Sequence, residues 1–166
     1  MTFNVVLVVP EIPQNTGNII RLCANTGAQL HLVEPLGFEL SEKALRRAHL
    51  DYEHLVDVTV HESFDSFLQC VNSTRVFVTT SGGPTRYDRA DYRDGDSVVF
   101  GSESRGLSND ILTKFPAERT LGIPMVSANR SINISNAVSI VVYEMWRQQQ
   151  FVDGNPPDIQ DREYFS

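Results

Sequence analysis

Three runs in this chain of 166 residues collect side chains suited to holding a ligand. In the run IPMVSANRSINISN (residues 123–136) a short apolar stretch ends at Pro124, and an apolar-striped helix begins near Ser135. Ser131, Asn133, Ser135 and Asn136 crowd the mouth of that helix, where one Asn or Ser would suffice as an N-cap. Four such groups beside the open N–H groups of a helix start read a ligand through amides and hydroxyls. Ile123 and Met125 supply an apolar wall, and an apolar slot edged by amides suits a flat heterocycle such as adenine. The run PEIPQNTGNIIR (residues 10–21) places Asn15 and Thr16 as caps of a helix that the apolar spacing starts at Thr16. Arg21 then falls about one turn into the helix, where a cation opposes the macrodipole and implies an anionic partner such as phosphate. The run GSESRGL (residues 101–107) has glycines near both ends, which permit close approach of backbone to a ligand, with Glu103 and Arg105 between them.

Each run follows a strand-like stretch. Residues 3–9 are apolar and β-branched, as a buried parallel strand should be, and 30–33, 56–60, 75–80, 97–101 and 119–123 read as further short strands. Helical spacing predicts helices over 16–26 (ended by Gly27), 42–48, 64–71, 108–115 (capped by Ser108) and 135–149. In the last of these Ile134, Ala137, Val138, Val141, Val142, Met145 and Trp146 form a continuous apolar stripe. Residues 81–96 read as one long polar loop, and 151–166 as a loosely held tail after a single domain over 1–150. Strands alternating with helices predict an α/β fold with a mostly parallel sheet flanked by helices. In such sheets ligands sit beyond the carboxyl ends of the strands, where all three runs lie.

Several chemistries lack their signatures. No Gly-x-Gly-x-x-Gly follows the first strand, and Leu107 stands where a phosphate loop needs its lysine. The four histidines form no i, i+4 pair, so no metal is expected. The net charge of −7 argues against non-specific coating of nucleic acid, yet cations cluster locally at Lys43, Arg46 and Arg47, at Arg86 and Arg89, and at Arg105 and Arg130. No apolar run is long enough to cross a bilayer, and residues 3–9 lack the flanks of a signal peptide. Cys23 and Cys70, both on apolar helical patterns, read as buried free thiols of a cytoplasmic protein.

In order and spacing the three runs resemble the three signature motifs of the SPOUT superfamily of RNA methyltransferases, in its ribose 2′-O-methylating branch. The similarity spans residues 3–149. The compactness of the chain and the run IRLCANTG (residues 20–27) are most similar to the members that methylate the wobble nucleotide of tRNA. The resemblance implies a C-terminal deep trefoil knot, with residues 97–149 threading a loop, and a homodimer with its site at the interface. It implies S-adenosylmethionine as cofactor, held by Thr79, Gly101, Ile123 and Ser131 with Met125 on the adenine wall; Thr79 stands where an apolar residue is expected. Asn15, Arg21, Glu103, Ser131 and Asn133 match positions assigned to chemistry or to holding the site together, Arg21 coming from the other subunit. Beyond the resemblance, the chemistry leads us to expect Arg21 to stay cationic and Asn133 to orient Ser131. The tRNA would dock on Lys43, Arg46, Arg47, Arg105 and Arg130; Tyr52, Tyr87 and Tyr92 read as ordinary partly buried core tyrosines, with stacking on RNA bases as the alternative. The activity implied is 2′-O-methylation of the ribose of cytidine or uridine 34 in the tRNA anticodon loop. Two alternatives stand beside it: methylation at another tRNA or rRNA position, and a non-catalytic RNA-binding module on the same scaffold.

Overall fold

The computed structural model describes residues 2–39, 58–71, 75–126 and 131–154. The described elements run β1 (Asn4–Val8), α1 (Pro13–Thr26), β2 (Gln29–Val33), β3 (Val58–His61), α2 (Phe64–Cys70), β4 (Val76–Thr79) and β5 (Thr85–Arg86). They continue through a 3₁₀ turn (Tyr87–Arg89), β6 (Ser97–Phe100), α3 (Asn109–Leu112), a second 3₁₀ turn (Ala117–Arg119), β7 (Thr120–Gly122) and α4 (Ile134–Gln148). The described strands make one sheet in the order β3-β2-β1-β6-β4-β7-β5, and every pairing is parallel. The α/β architecture expected from the alternating pattern is present. The predicted helix over 42–48 lies outside the described residues.

All five residues of β1 are buried, and their alternation divides the core in two. Val5 and Leu7 face α1 and α4 with Leu30, Leu32, Phe77, Val98 and Phe100. Val6 and Val8 face the other layer with Val33, Phe67, Val78, Val99 and Leu107. A strand buried on both faces has no polar period, which is why these stretches read as continuous apolar runs. The stripe of α4 buries Val138, Val141, Val142 and Met145 completely.

The chain departs from the sequence expectation at several points. Helix α1 begins three residues earlier than its apolar spacing indicated, because Pro13 takes the first helical position, where its missing N–H costs nothing. Asn15 and Thr16 are therefore inside the helix and not its caps. Arg21 is the ninth of fourteen residues, beyond the first turn in which the macrodipole acts, so the argument from an opposed dipole lapses. Residues 81–96 are not one loop: they hold β5 and a 3₁₀ turn. Ser108 precedes α3 without a side-chain capping bond. Cys23 is buried, with its thiol pushed up to about 12 by desolvation, whereas Cys70 at the end of α2 is exposed.

One crossing organises the C-terminal half. Strand β7 lies between β4 and β5, so residues 80–84, which join those two strands, must pass across it. Thr80 N donates to Leu121 O at 2.9 Å. A Cβ on Gly83 would stand 2.1 Å from the Leu121 carbonyl carbon, so only glycine admits this contact. Gln148 at the end of α4 and Gln149 just after it fasten the adjoining segment: Gln148 accepts from Tyr92 N and donates to Ala90 O, and Gln149 donates to Tyr92 O.

A buried polar chain closes the other side of the sheet. Asn4 donates through Nδ2 to Gly95 O, leaving Oδ1 to accept from His31 Nε2 at 3.3 Å. His31 Nδ1 must then accept from His61 Nε2, 3.0 Å away. Phe67 packs edgewise on both rings. Burial, with the neighbouring imidazole, lowers the pKa of His31 to about 4, and burial lowers that of His61.

Candidate active site

The carboxyl ends of β1, β6, β4 and β7, adjacent or nearly so in the sheet, open into a cleft of about 410 Å³. Its walls come from the loops after those strands and from the start of α4. Residues 101–107 line one side throughout; Leu121, Ile123, Met125 and Ala137 provide apolar surface; Asn15, Thr79, Ser131 and Asn133 provide polar groups. Of the fourteen positions singled out from sequence, Asn15, Thr79, Gly101, Glu103, Arg105, Ile123, Met125, Ser131 and Asn133 line this cleft. Lys43, Arg46, Arg47 and Arg130 lie outside the described residues, as does Tyr52. Arg21 is exposed on α1 and is not part of the cleft wall.

Helix geometry accounts for Arg21. Six residues along a helix from Asn15 is a rise of about 9 Å and a turn to a direction about 120° away. Asn15, on the buried face of α1, looks into the cleft, so the Arg21 of the same chain is directed elsewhere.

The three motifs are joined by one hydrogen-bonded chain. Asn133 Nδ2 donates to Asn15 Oδ1 at 3.0 Å, and Asn15 Nδ2 donates to Glu103 Oε1 at 2.9 Å. Glu103 also accepts from Glu11 N through Oε2 at 2.8 Å and from Ile12 N through Oε1 at 3.2 Å. Its carboxylate thus satisfies the N–H groups of the two residues that lead into α1, whose N-cap, Ile12, has no capping side chain. A negative group at that position is favoured by the helix dipole. At the far end Asn133 caps α4, its Oδ1 accepting from Ser135 N at 2.9 Å and from Ser135 Oγ at 2.7 Å. The Asn133 amide is therefore engaged with Asn15 and Ser135, and the expectation that it orients Ser131 is replaced by this arrangement.

Gly101 is required by packing. A Cβ there would lie 2.0 Å from the Gly106 carbonyl carbon and 2.1 Å from Leu107 N, so the loop closes on itself backbone to backbone. Gly106, at φ +68°, makes the reversal, and Gly106 N donates to Ser102 O at 2.9 Å. Thr79, the departure from an apolar pattern, donates through Oγ1 to Val99 O at 2.9 Å. Its hydroxyl extends the β4–β6 contact at the cleft edge, so Thr79 meets the cleft with its hydroxyl already engaged. Tyr92 is buried, and its hydroxyl donates to Tyr87 O at 2.6 Å, so it is a core residue and not a stacking platform. Arg86 is held by Asp88 in a two-pronged pair. Among the described residues no group of three or more His, Cys, Asp or Glu side chains is placed to hold a metal ion, and no helix is long and apolar enough to cross a membrane.

Sequence reasoning missed Glu11 and Ser104, which grip each other across the same edge of the cleft. Their partnership spans 93 positions, and no local pattern signals it.

Comparison with known proteins agrees with this geometry. The model of the SpoU rRNA Methylase family matches residues 2–143. The Escherichia coli (strain K12) protein named tRNA (cytidine(34)-2′-O)-methyltransferase is 54% identical over 145 residues, which are 87% of this chain and 92% of that protein. A solved structure described as giving structural insights into the 2-OH methylation of C/U34 on tRNA superposes with a TM-score of 0.83 at 44% identity, covering 90% of this chain and 97% of that one. AviRb of Streptomyces viridochromogenes, a SpoU methyltransferase solved in complex with the cofactor AdoMet, shares the fold with a TM-score of 0.74 at 23% identity over 92% of this chain and 58% of its own.

Proposed function

The chain belongs to the SpoU rRNA Methylase family, and from that premise we propose that it methylates the ribose 2′-hydroxyl of the wobble nucleotide, cytidine or uridine 34, in tRNA, with S-adenosylmethionine as donor. The observation that carries this reading is the cleft itself. Three runs spaced across the chain meet in one hydrogen-bonded wall, Glu103–Asn15–Asn133, as a site that must hold two reactants in register requires.

The cleft fits the donor. Its volume of about 410 Å³ is that of a small-molecule site. Leu121, Ile123 and Met125 offer apolar surface to an adenine, residues 79–81 and 101–107 wall the cleft, and the Glu103 carboxylate favours a cationic ligand. When bound, the donor supplies a methyl group on a sulfonium sulfur, which becomes a neutral thioether as the methyl leaves. The chain's residues hold the reacting oxygen in line and stabilise its developing negative charge. Arg21 does not act as the base, since a guanidinium stays protonated in proteins. It holds a substrate phosphate and lowers the cost of the alkoxide, while Ser131 Oγ or an RNA phosphate oxygen takes the 2′-hydroxyl proton.

The reading requires a homodimer. Arg21 points away from the cleft of its own chain, so the partner subunit's Arg21 completes the site. The exposed side of α4, with Tyr143 at 46% and neighbouring Phe151 at 44% exposure, offers apolar surface for the pairing. One domain, residues 1–150, carries the activity in the cytoplasm, where the tRNA is. We further read the C-terminal half as a deep trefoil knot: the 80–84 crossing over β7 and the clamp of Gln148 and Gln149 on 90–92 are the contacts a threaded chain would make. Connections of this kind are rare, and the tight passage at Gly83 supports one here. Arg105, exposed on the cleft rim, joins Lys43, Arg46, Arg47 and Arg130 as the tRNA-docking surface.

The test is calorimetry with S-adenosylmethionine, followed by tritiated-methyl transfer to tRNA transcripts that differ only in the anticodon. Donor binding, with transfer that depends on position 34, is expected. Donor binding with transfer to ribosomal RNA alone would move the substrate to another RNA.

A further inference from the structure

The loop at residues 101–107 is fastened to the β1–α1 loop by two carboxylates that reach in opposite directions. Glu103 reaches across to Glu11 N and Ile12 N. Glu11 reaches back: its Oε2 accepts from Ser104 N at 3.0 Å and its Oε1 from Ser104 Oγ at 2.7 Å. The two grips differ in what they hold. Glu103 is tied to Asn15 and so to the amide chain of the site, whereas the bonds of Glu11 go to Ser104, at the outer corner of the loop.

We infer that Glu11 is a positioning residue for the donor: its grip on Ser104 sets where the 101–107 loop stands against the cleft. This rests on the reading of the cleft as the donor site. The loop keeps its own shape without Glu11. Gly106 N still donates to Ser102 O, Arg105 N still donates to Ser102 Oγ at 3.3 Å, and Gly101 still packs on the Gly106 backbone. Glu103 also keeps its bonds to Glu11 N, Ile12 N and Asn15, so losing the Glu11 side chain frees the Ser104 corner to shift without unfolding the loop. Ser104 and Arg105, at that corner, both line the cleft, so such a shift changes the shape of the wall there. The grip is also exposed to water on the Ser104 side, where hydrogen bonds add little to overall stability. Its removal therefore acts on ligand geometry more than on the folded state.

The experiment compares Glu11→Ala, Glu11→Gln, Ser104→Ala and the Glu11→Ala/Ser104→Ala pair with the wild type, reading the S-adenosylmethionine Kd by calorimetry, the tRNA Kd by filter binding and the Tm. Glu11→Ala is expected to weaken donor binding about tenfold, because small misplacements in a preorganised site are costly. The tRNA Kd should stay within about twofold and the Tm within about 2 °C. Glu11→Gln, which keeps an oxygen acceptor, should recover binding to within about threefold of wild type. The double variant should bind no more weakly than Glu11→Ala, because both changes break one contact. Unchanged donor binding in Glu11→Ala overturns the inference, as does a joint loss of donor binding, tRNA binding and Tm, which would make Glu11 a structural residue only. Wild-type protein that binds no S-adenosylmethionine overturns the reading of the cleft, and this inference with it.

Discussion

Asn133 donates its side-chain N–H to the side-chain oxygen of Asn15 at 3.0 Å, a contact between residues 118 positions apart. It joins the N-cap of α4 to the first turn of α1. The Glu103 carboxylate extends it to the loop after β6. Each amide uses both ends, so a change at either asparagine leaves a partner unsatisfied in a partly buried place.

Asn15→Ala and Asn133→Ala should each lower kcat/KM by about 100-fold, and the double variant should lose little more than either single one. The coupling expected from a thermodynamic cycle is about 0.5–3 kcal/mol. Steady-state methyl transfer by the four proteins measures it; fully additive losses would mean that the two amides act separately.

Arg21 lies about 120° around α1 from Asn15, and this makes a prediction about subunits. Arg21→Ala and Asn133→Ala proteins should each be nearly inactive alone. Co-expressed with separate tags, they form mixed dimers in which one of two sites has every group. Random pairing restores about a quarter of wild-type activity. No recovery in purified mixed dimers would place Arg21 in the site of its own chain.

The buried His31–His61 pair predicts acid sensitivity of the fold. His31 is held neutral at 7% exposure, with its pKa lowered to about 4 by burial and by His61. In the unfolded chain it takes up a proton near pH 6.5, so between these values the unfolded state binds more protons and stability rises with pH. Unfolding free energy should fall by roughly 2–3 kcal/mol as pH drops from 7 to 4.5, beyond the general loss from protonating carboxylates. Urea titrations of wild type and His31→Gln check it: the variant's pH slope over this range should be flatter. Equal slopes would show that the pair does not set acid stability.

Much of this molecule is legible in the order of its residues, and the gaps have physical causes. The buried strands β1, β2, β4 and β6 announce themselves because a strand covered on both faces is mostly apolar, with buried polar residues such as Asn4 and His31 where a partner is at hand. The stripe of α4 is legible for the corresponding helical reason. The start of α1 was hidden because Pro10 and Pro13 look alike in sequence; only the fold shows that one ends a loop and the other begins a helix. The place of β7 between β4 and β5 is a long-range pairing that no local pattern encodes. In the site, Asn15, Glu103 and Asn133 stood out by type and spacing. The partnership of Glu11 and Ser104 did not, since a glutamate before a helix and a serine in a loop are ordinary alone. The cations Lys43, Arg46 and Arg47 read as a cluster in sequence and lie outside the described residues.

The destination of the methyl group is the property that defines this enzyme. The direct measurement incubates the purified protein with S-adenosylmethionine carrying a labelled methyl and a substrate tRNA, then digests the RNA and maps the label by mass spectrometry. A second tRNA carries a single 2′-deoxy sugar at position 34. The prediction is one methyl per tRNA on the ribose oxygen of nucleotide 34, and none on the deoxy substrate. Label on a base, at another nucleotide, or retained on the deoxy tRNA would contradict it.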